Sequence, residues 1–226
     1  MMKPRLLMEN VTQTFQDGES SVTILDGLSL EVGEGELVAV TGPSGSGKST
    51  FLSIAGALLS PTGGEVSVDG RPLGGMDAGQ LADLRLTKLG FVFQSANLIP
   101  YLRVEEQLLL VAKLAGTPAA EASKRAKELL ELLGLARRSR SYPEKLSGGE
   151  RQRTAVARAW MNDPSVIYAD EPTASLDAER GRDVVRMLRD GVKAQKKAGI
   201  MVTHDDRVLE YCDRVLKLEN GRLQPA

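Results

Sequence analysis

Apolar and polar positions alternate along the first thirty-odd residues of the chain, as in residues 6–11 and 22–30. Side chains of a strand point alternately to its two faces, so this period of two predicts antiparallel β-strands. Residues 16–20 separate the two runs and are predicted to form the turn between them. The N-terminal region is therefore predicted to be β-structure, with a second hairpin over residues 65–73.

Further along the chain, short apolar runs alternate with segments of helical periodicity. The predicted strands are residues 37–40, 89–93, 166–169, 200–203 and 215–218, and the predicted helices follow residue 50 and span residues 149–161 and 179–196. Strands that alternate with helices imply a mostly parallel sheet covered on both faces.

Residues 102–135 differ from the rest of the chain in their sequence pattern, with apolar residues at intervals of three and four. This spacing predicts an inserted helical subdomain. Gly116 and Pro118 are expected to break one helix and begin the next, over residues 119–133, which Gly134 would end.

The composition is typical of one large globular domain, with 226 residues, 42% apolar and 26% charged. A formal net charge of -1 argues against a dedicated nucleic-acid binder, which needs a basic surface excess. No apolar run approaches the roughly 18 residues of a membrane-spanning helix, and no secretory signal is evident, so we expect a cytosolic chain. The single cysteine, Cys212, cannot form an internal disulfide and is interpreted as a small buried apolar residue.

Residues 42–50 match the pattern G-x-x-x-x-G-K-[ST] between a predicted strand and a predicted helix. Glycines let the backbone turn its N–H groups inward, and the helix start presents its positive dipole end to the same anion. Lys48 would add a full charge on the outer phosphates, and the Ser49 hydroxyl is a candidate Mg²⁺ ligand. The alternative is a flexible Gly/Ser loop without a ligand. The predicted nucleotide-binding residues of this loop are Ser44, Gly45, Ser46, Gly47, Lys48, Ser49 and Thr50.

Asp170 and Glu171 follow the apolar run 166–169, which places them at the carboxyl edge of the predicted sheet, where α/β proteins bind ligands. Asp170 is suited to hold Mg²⁺, and Glu171 can polarise the water that attacks the γ-phosphorus. An acid pair at a strand end alone is weakly specific, because such residues also cap turns. Beside a phosphate-binding loop the pair predicts a hydrolytic site.

A second glycine-rich helix entry, Leu-Ser-Gly-Gly-Glu-Arg-Gln-Arg, occupies residues 146–153 and resembles the signature sequence of ABC-transporter ATPases. That family also has a glutamine after a strand, matched by Gln94, and a histidine after the last core strand, matched by His204. Its Ser-Leu-Asp after the acid pair is matched by residues 175–177. The resemblance covers nearly the whole chain.

The resemblance implies an α/β fold with a P-loop NTPase core, an N-terminal antiparallel β subdomain and an inserted α-helical subdomain. It implies a single domain over residues 1–226, with the core and β subdomain in 1–94 and 160–226 and the helical subdomain in 95–159. The implied cofactors are ATP and Mg²⁺. The implied partner is a second copy of the chain, arranged so that each ATP lies between one phosphate loop and the other copy's Ser147, Gly148 and Gly149.

Family positions imply further roles. His204 would contact the γ-phosphate and the attacking water, Gln94 would bridge Mg²⁺ and the membrane-facing subdomain, and Asp177 would couple the two sites of the dimer. The alternatives are a structural histidine and a plain surface amide. Residues 95–102 would receive a helix of a membrane subunit, or form a purely structural loop.

Phe15 stands where the family has a tyrosine that stacks on adenine, and Val22 would pad the same base. The alternative for Phe15 is an ordinary strand residue packed in the core. Glu150 replaces the commoner glutamine of the signature and adds a negative charge near a triphosphate, which pairing with Arg151 or Arg153 would offset.

The function implied is that of the ATP-hydrolysing subunit of a bacterial ABC exporter, which dimerises on ATP and drives a separately encoded membrane permease. It would lie at the cytoplasmic face of the inner membrane, without binding nucleic acid. Residues 199–215 look most like haem-exporting members, with lipoprotein-releasing and macrolide- or peptide-exporting systems as alternatives. A non-transport ABC ATPase is a further alternative, and a P-loop kinase or GTPase is hard to reconcile with residues 146–150.

Overall fold

The computed structural model describes residues 4–18 and 20–226. In chain order the strands are β1 (Leu6–Asp17), β2 (Ser20–Val32), β3 (Glu36–Thr41), β4 (Gly63–Val68), β5 (Arg71–Pro72), β6 (Leu89–Val92), β7 (Val166–Asp170), β8 (Ala198–Val202), β9 (Arg214–Glu219) and β10 (Arg222–Pro225). The helices are α1 (Lys48–Ala55), α2 (Ala78–Lys88), α3 (Val104–Leu114), α4 (Ala119–Leu132), α5 (Gly148–Trp160) and α6 (Ala178–Ala194). Short 3₁₀ turns lie at Ala136–Arg138, Pro143–Lys145 and Asp206–Tyr211.

The N-terminal strands form a separate four-stranded sheet in the order β2-β1-β4-β5, with antiparallel neighbours throughout. The predicted antiparallel N-terminal region is therefore confirmed. The turn expected at residues 16–20 is shorter, because β1 reaches Asp17 and β2 begins at Ser20. Of the two residues between them, Gly18 has a φ of 62°, and Glu19 lies outside the described residues.

The second sheet has six strands in the order β10-β9-β3-β8-β7-β6, parallel except for the antiparallel pair β9 and β10. Its register brings three strand ends together, since Val202 of β8 lies opposite Val40 of β3 and Asp170 of β7. The loops that follow these three strands therefore leave the sheet at the same edge, which is where α/β proteins place ligands.

Both faces of the parallel sheet are buried, as the pattern predicts. Val38 and Val40 pack on one side with α1 and the antiparallel sheet, whereas Leu37 and Ala39 pack on the other with α3 to α6. Trp160 belongs to the second cluster and is only 3% exposed, so its interpretation as a core residue is confirmed.

The structure also contains elements that the sequence analysis did not predict. Helix α2 has a single buried residue, Leu84, so its apolar stripe is too weak to stand out. Its start is nonetheless defined by a capping box between Asp77 and Gln80. The helical insert resolves into α3 and α4, separated at Gly116, whose φ is 76°. No helix within 4–18 and 20–226 is long and apolar enough to cross a membrane.

Candidate functional site

The loop between β3 and α1 requires glycine at two positions. Gly42 has a φ of 147°, and a Cβ there would lie 2.5 Å from the carbonyl oxygen of Leu218. Gly47 has a φ of 98° and is the residue that caps α1. A side chain at either position would strain the backbone or collide with a neighbouring strand, so the bend of the loop depends on these glycines.

The loop has polar groups suited to an anion. The Ser46 hydroxyl oxygen is buried and makes no hydrogen bond within the described residues, which costs about 1–3 kcal/mol unless a ligand supplies a partner. Lys48 Nζ donates to the carbonyl oxygens of Gly42 and Pro43 at 2.8 and 2.9 Å, so its ammonium lies over the loop. No acidic residue occurs in the first turn of α1, and its positive dipole end is free to face an anion. These residues fit the phosphate groups of a nucleoside triphosphate.

Two of the predicted Mg²⁺ ligands lie close together. Ser49 of α1 and Asp170 at the end of β7 line one small cavity of about 90 Å³. The pKa of Asp170 is raised above its usual value, because burial and the neighbouring Glu171 carboxylate outweigh the opposite effect of Lys48. A hydroxyl and a carboxylate are oxygen donors of the kind that Mg²⁺ prefers. Gln94, the third predicted ligand, is exposed and does not line this cavity.

Glu171 and His204, the predicted catalytic residues, are in direct contact. Nδ1 of His204 lies 2.8 Å from Glu171 Oε1, and the His204 backbone N–H donates to Glu171 Oε2 at 3.3 Å. The Glu171 side chain is 15% exposed and that of His204 is 71% exposed. The contact arises because β7 and β8 are neighbours, Glu171 directly follows β7, and His204 comes two residues after the end of β8.

The backbone of Glu171 is strained, with a φ of 46°. Non-glycine residues rarely adopt this left-handed region, and such strain tends to cluster at functional sites. Its N–H donates to the carbonyl oxygen of Val202 at 2.8 Å, which ties the residue to the end of β8. Glu171 therefore lies at the edge of the sheet from which the phosphate loop also leaves.

The segment around Gln94 is held by two side chains of α5. Gln152 Nε2 donates to the carbonyl oxygen of Phe93 at 2.9 Å. Arg158 donates to the carbonyl oxygens of Ala96 and Asn97 at 2.9 and 2.8 Å. Sequence reasoning missed both residues. Gln152 did give a signal, because it is a polar residue on the buried face of α5.

The signature residues begin α5. Ser147 is the N-cap, and its Oγ accepts from the Glu150 N–H at 3.2 Å while the Glu150 carboxylate accepts from the Ser147 N–H at 2.8 Å. The expected pairing of Glu150 with Arg151 or Arg153 is wrong. Arg138 donates from Nε to Glu150 Oε1 at 2.8 Å, since the 3₁₀ turn Ala136–Arg138 brings it alongside.

Arg151 and Arg153 are oriented elsewhere. Arg151 donates to the carbonyl oxygen of Leu146 at 2.6 Å. Arg153 has a buried Nε without a hydrogen-bond partner in the described part of the chain. Neither guanidinium is therefore paired with Glu150, and the compensating charge comes from Arg138, which the sequence analysis did not single out.

The segment containing Asp177 packs against the signature of its own chain. A Cβ at Gly148 would lie 3.5 Å from Leu176 Cδ2, and one at Gly149 would lie 3.3 Å from the side chain of Arg180. Asp177 is the N-cap of α6, accepting from the Arg180 N–H at 3.0 Å. In the part of the chain that the structure describes, no hydrogen bond or ion pair joins Ser147, Gly148 or Gly149 to the phosphate loop.

Phe15 and Val22 lie opposite each other in the β1–β2 register and are both unusually exposed, at 42% and 46%. The alternative interpretation of Phe15, as a strand residue packed in the core, is therefore wrong. The pair presents an apolar surface of the kind that an aromatic base could cover. Cys212 packs against the core but is only half-buried, so its interpretation as a buried apolar residue holds in part. Burial raises the pKa of its thiol to about 12, which makes the thiol unreactive at neutral pH.

The family model for the ABC transporter family matches residues 25–174, more than half of the chain. The chain belongs to the ABC transporter family. As a member, it is an ATP-binding subunit that hydrolyses ATP, so the kinase and GTPase alternatives are wrong. Its resemblance at the signature, and the fold that the resemblance implied, are confirmed.

Similar ABC transporter proteins extend along nearly the full chain. A Staphylococcus aureus protein (strain bovine RF122 / ET3-1) named hemin import ATP-binding protein HrtA is 50% identical over 218 residues, covering 96% of this chain and 98% of the relative. A protein of the same name from Staphylococcus haemolyticus (strain JCSC1435) is 46% identical over 219 residues, covering 97% and 99%.

Solved ABC structures show the same fold. The ATP-binding cassette MJ0796, described as dimeric and bound to ADP and Pi in a post-hydrolysis state, is 38% identical with a TM-score of 0.86, covering 97% of this chain and 96% of that one. CbiO1 from Clostridium perfringens, described as part of the ABC transporter complex CbiONQ, is 28% identical with a TM-score of 0.88, covering 98% and 87%.

Proposed function

We propose that two copies of this ABC subunit close head to tail around two ATP molecules. The observation that supports this is the separation of the two anion-binding elements within one chain. The phosphate loop and the start of α5 each offer backbone N–H groups at a helix start, yet no hydrogen bond or ion pair joins them in the described chain. A two-fold dimer would bring one copy's loop to the other copy's signature. The dimeric description of MJ0796 agrees with this arrangement.

In this dimer the residues of one chain share the work at each ATP. Ser44 to Thr50 hold the phosphates, and Phe15 and Val22 cover the adenine. Ser49, Asp170 and Gln94 would hold Mg²⁺, which would supply positive charge at the phosphate oxygens when bound. Glu171 accepts a proton from the attacking water. His204 holds the Glu171 carboxylate and contacts the γ-phosphate.

The second copy supplies the remaining groups. Ser147, Gly148 and Gly149 donate to the γ-phosphate, and Glu150 orients Ser147. Asp177 couples the two ATP sites of the dimer. Loss of the γ-phosphate removes the link between the copies, so closure follows the nucleotide state. We further propose the single domain over residues 1–226, with the helical subdomain at residues 95–159, as the unit that closes.

The partner beyond the dimer is an integral membrane permease in the bacterial inner membrane, with this subunit on the cytoplasmic face. Gln94 and the exposed segment that follows it would contact the permease. Gln152 and Arg158 anchor that segment to α5, the helix that begins with the signature. A movement of the permease against residues 95–102 would therefore be transmitted to Ser147 through α5.

The cargo we propose is haem, moved out of the cell. Haem as cargo is supported by relatives that are 46–50% identical and bear hemin in their names. Those names give import, whereas the resemblance of residues 199–215 to haem-exporting members favours efflux. An experiment must therefore test the direction of transport separately from the identity of the cargo.

Growth of a gene-deletion strain in haem distinguishes the two directions. Efflux predicts that deletion makes cells more sensitive to haem and raises cell-associated haem, and that the wild-type gene, but not Glu171→Gln, restores resistance. The matched control is Glu210→Gln, an exposed glutamate six residues after His204 in the chain, which should restore resistance fully. Lower cell-associated haem in the deletion strain would indicate import, and unchanged sensitivity would indicate another cargo; either result overturns haem efflux.

A further inference from the structure

Glu150 of the signature is joined by two hydrogen bonds to Ser147, three residues before it. The Ser147 N–H donates to Glu150 Oε2 at 2.8 Å, and the Glu150 N–H donates to Ser147 Oγ at 3.2 Å. A hydroxyl has one donor and two acceptor sites. Because the acceptor side of Ser147 Oγ is engaged by its own helix, the hydroxyl hydrogen stays available to donate to an external anion.

The other oxygen of the same carboxylate is bound by Arg138. Nε of Arg138 donates to Glu150 Oε1 at 2.8 Å, so the two oxygens are divided between the Ser147 N–H and the guanidinium. The Glu150 side chain is largely buried, at 16% exposed. The hydrogen bond from the Ser147 backbone and that from Arg138 lower the pKa of Glu150, so the group is ionised at neutral pH.

An ionised carboxylate in a signature loop creates an electrostatic problem. The groups left to meet a phosphate are the Ser147 hydroxyl hydrogen and the N–H groups of Gly148 and Gly149, and a negative charge beside them would repel the phosphate. Among the residues that the structure describes, Arg138 is the one cation within ion-pair distance of Glu150.

We propose that Arg138 is a positioning residue for ATP-dependent closure: it fixes Glu150 so that the Ser147 hydroxyl faces the partner copy's γ-phosphate, and it cancels the carboxylate's charge there. This inference rests on the proposed nucleotide-sandwich dimer. Arg138 touches neither the nucleotide nor the water. It acts through Glu150, and its loss should weaken closure while leaving ATP binding at the chain's own phosphate loop intact.

The test is ATP-dependent dimerisation in a Glu171→Gln background, followed by sedimentation as MgATP is titrated. Arg138→Ala should raise the ATP concentration for half-maximal dimerisation about tenfold, the effect expected for losing a hydrogen bond to a charged group. Arg138→Lys, which keeps the charge, should stay within about threefold of the parent. Arg137→Ala is the matched control, because Arg137 lies in the same turn without an ion pair in the described chain, and should have less than about a twofold effect.

A double variant separates positioning from plain structural support. Arg138→Ala with Glu150→Gln removes the unpaired charge and keeps an oxygen for the Ser147 N–H, so dimerisation should return to within about threefold of the parent. Thermal melting and equilibrium binding of ATP to the monomer check that each variant is folded and that its phosphate loop works.

The outcomes separate this inference from the dimer on which it rests. A dimerising parent whose Arg138→Ala form dimerises equally well, or whose double variant stays as weak as Arg138→Ala, overturns the role of Arg138 alone. A parent that stays monomeric with MgATP overturns the proposed dimer and this inference with it.

Discussion

Replacing Glu171 by glutamine tests the assignment of the catalytic base with little disturbance to the fold. Glutamine has the same length and keeps an oxygen that can accept from His204, which lies 2.8 Å from the carboxylate through Nδ1 and donates to it through its backbone N–H at 3.3 Å. The backbone bond from residue 171 to Val202 does not involve the side chain. We therefore expect the free energy of unfolding to change by less than about 1 kcal/mol.

Hydrolysis should change far more than stability. An amide cannot accept the proton of the attacking water, and a lost general base costs roughly 10²–10⁴-fold in rate. That range corresponds to about 3–5 kcal/mol in the activation barrier. ATP affinity should be unchanged, since Glu171 is not among the groups proposed to bind the phosphates.

The assay is phosphate release at saturating MgATP, with ATP affinity measured separately by equilibrium binding and folding checked by thermal melting. Glu210→Gln is the control, because it removes the same charge from an exposed position outside the residues proposed to form the site. Turnover of Glu171→Gln within about tenfold of the wild type would refute the assignment of Glu171 as the base.

Two further predictions concern the packing and the pH dependence of the fold. Gly191→Ala would place a Cβ 2.4 Å from Cη2 of the buried Trp160, and the overpacking should cost about 1–3 kcal/mol in urea unfolding, so an unchanged midpoint would contradict the packing. The hydrogen bond from Arg207 holds the pKa of Asp205 below its usual range, so this carboxylate stabilises the fold above about pH 3.9 and loses that effect as the pH falls. Asp205→Asn should therefore be less stable than the wild type at pH 7, and the difference should shrink steadily as the pH falls below about 3.9, whereas a constant difference would argue against the ionised group.

The positions of most strands along the chain and the identity of the phosphate loop could be predicted because both depend on short-range patterns. Four consecutive apolar residues at 37–40 followed by the glycine-rich stretch 42–50 define a strand and a phosphate loop locally. Glu171 and His204 could be placed at strand ends for the same reason. Their contact depends on β8 being the neighbour of β7, which residues far apart in sequence decide.

The partner of Glu150 shows the limit of local patterns. Arg151 and Arg153 are near in sequence, but the helix directs them away, and a 3₁₀ turn twelve residues earlier places Arg138 on the carboxylate. Helix α2 was missed because only Leu84 is buried, and a helix with one buried residue leaves no stripe to recognise. The left-handed φ of Glu171 could not be predicted either, because glutamate rarely adopts this region and its backbone is bonded to Val202, a residue far away in the sequence.

One chain is proposed to hold half of each ATP site, and the most direct test of this arrangement is the mass of the Glu171→Gln protein in solution. Sedimentation with MgATP should show the 24.3 kDa chain becoming a dimer with two ATP molecules bound, and the same chain remaining a monomer without nucleotide. Adding Ser147→Arg should abolish the dimer, because the new side chain would enter the shared site. A Glu171→Gln protein that stays monomeric at saturating MgATP, or a dimer that Ser147→Arg leaves intact, would contradict the account.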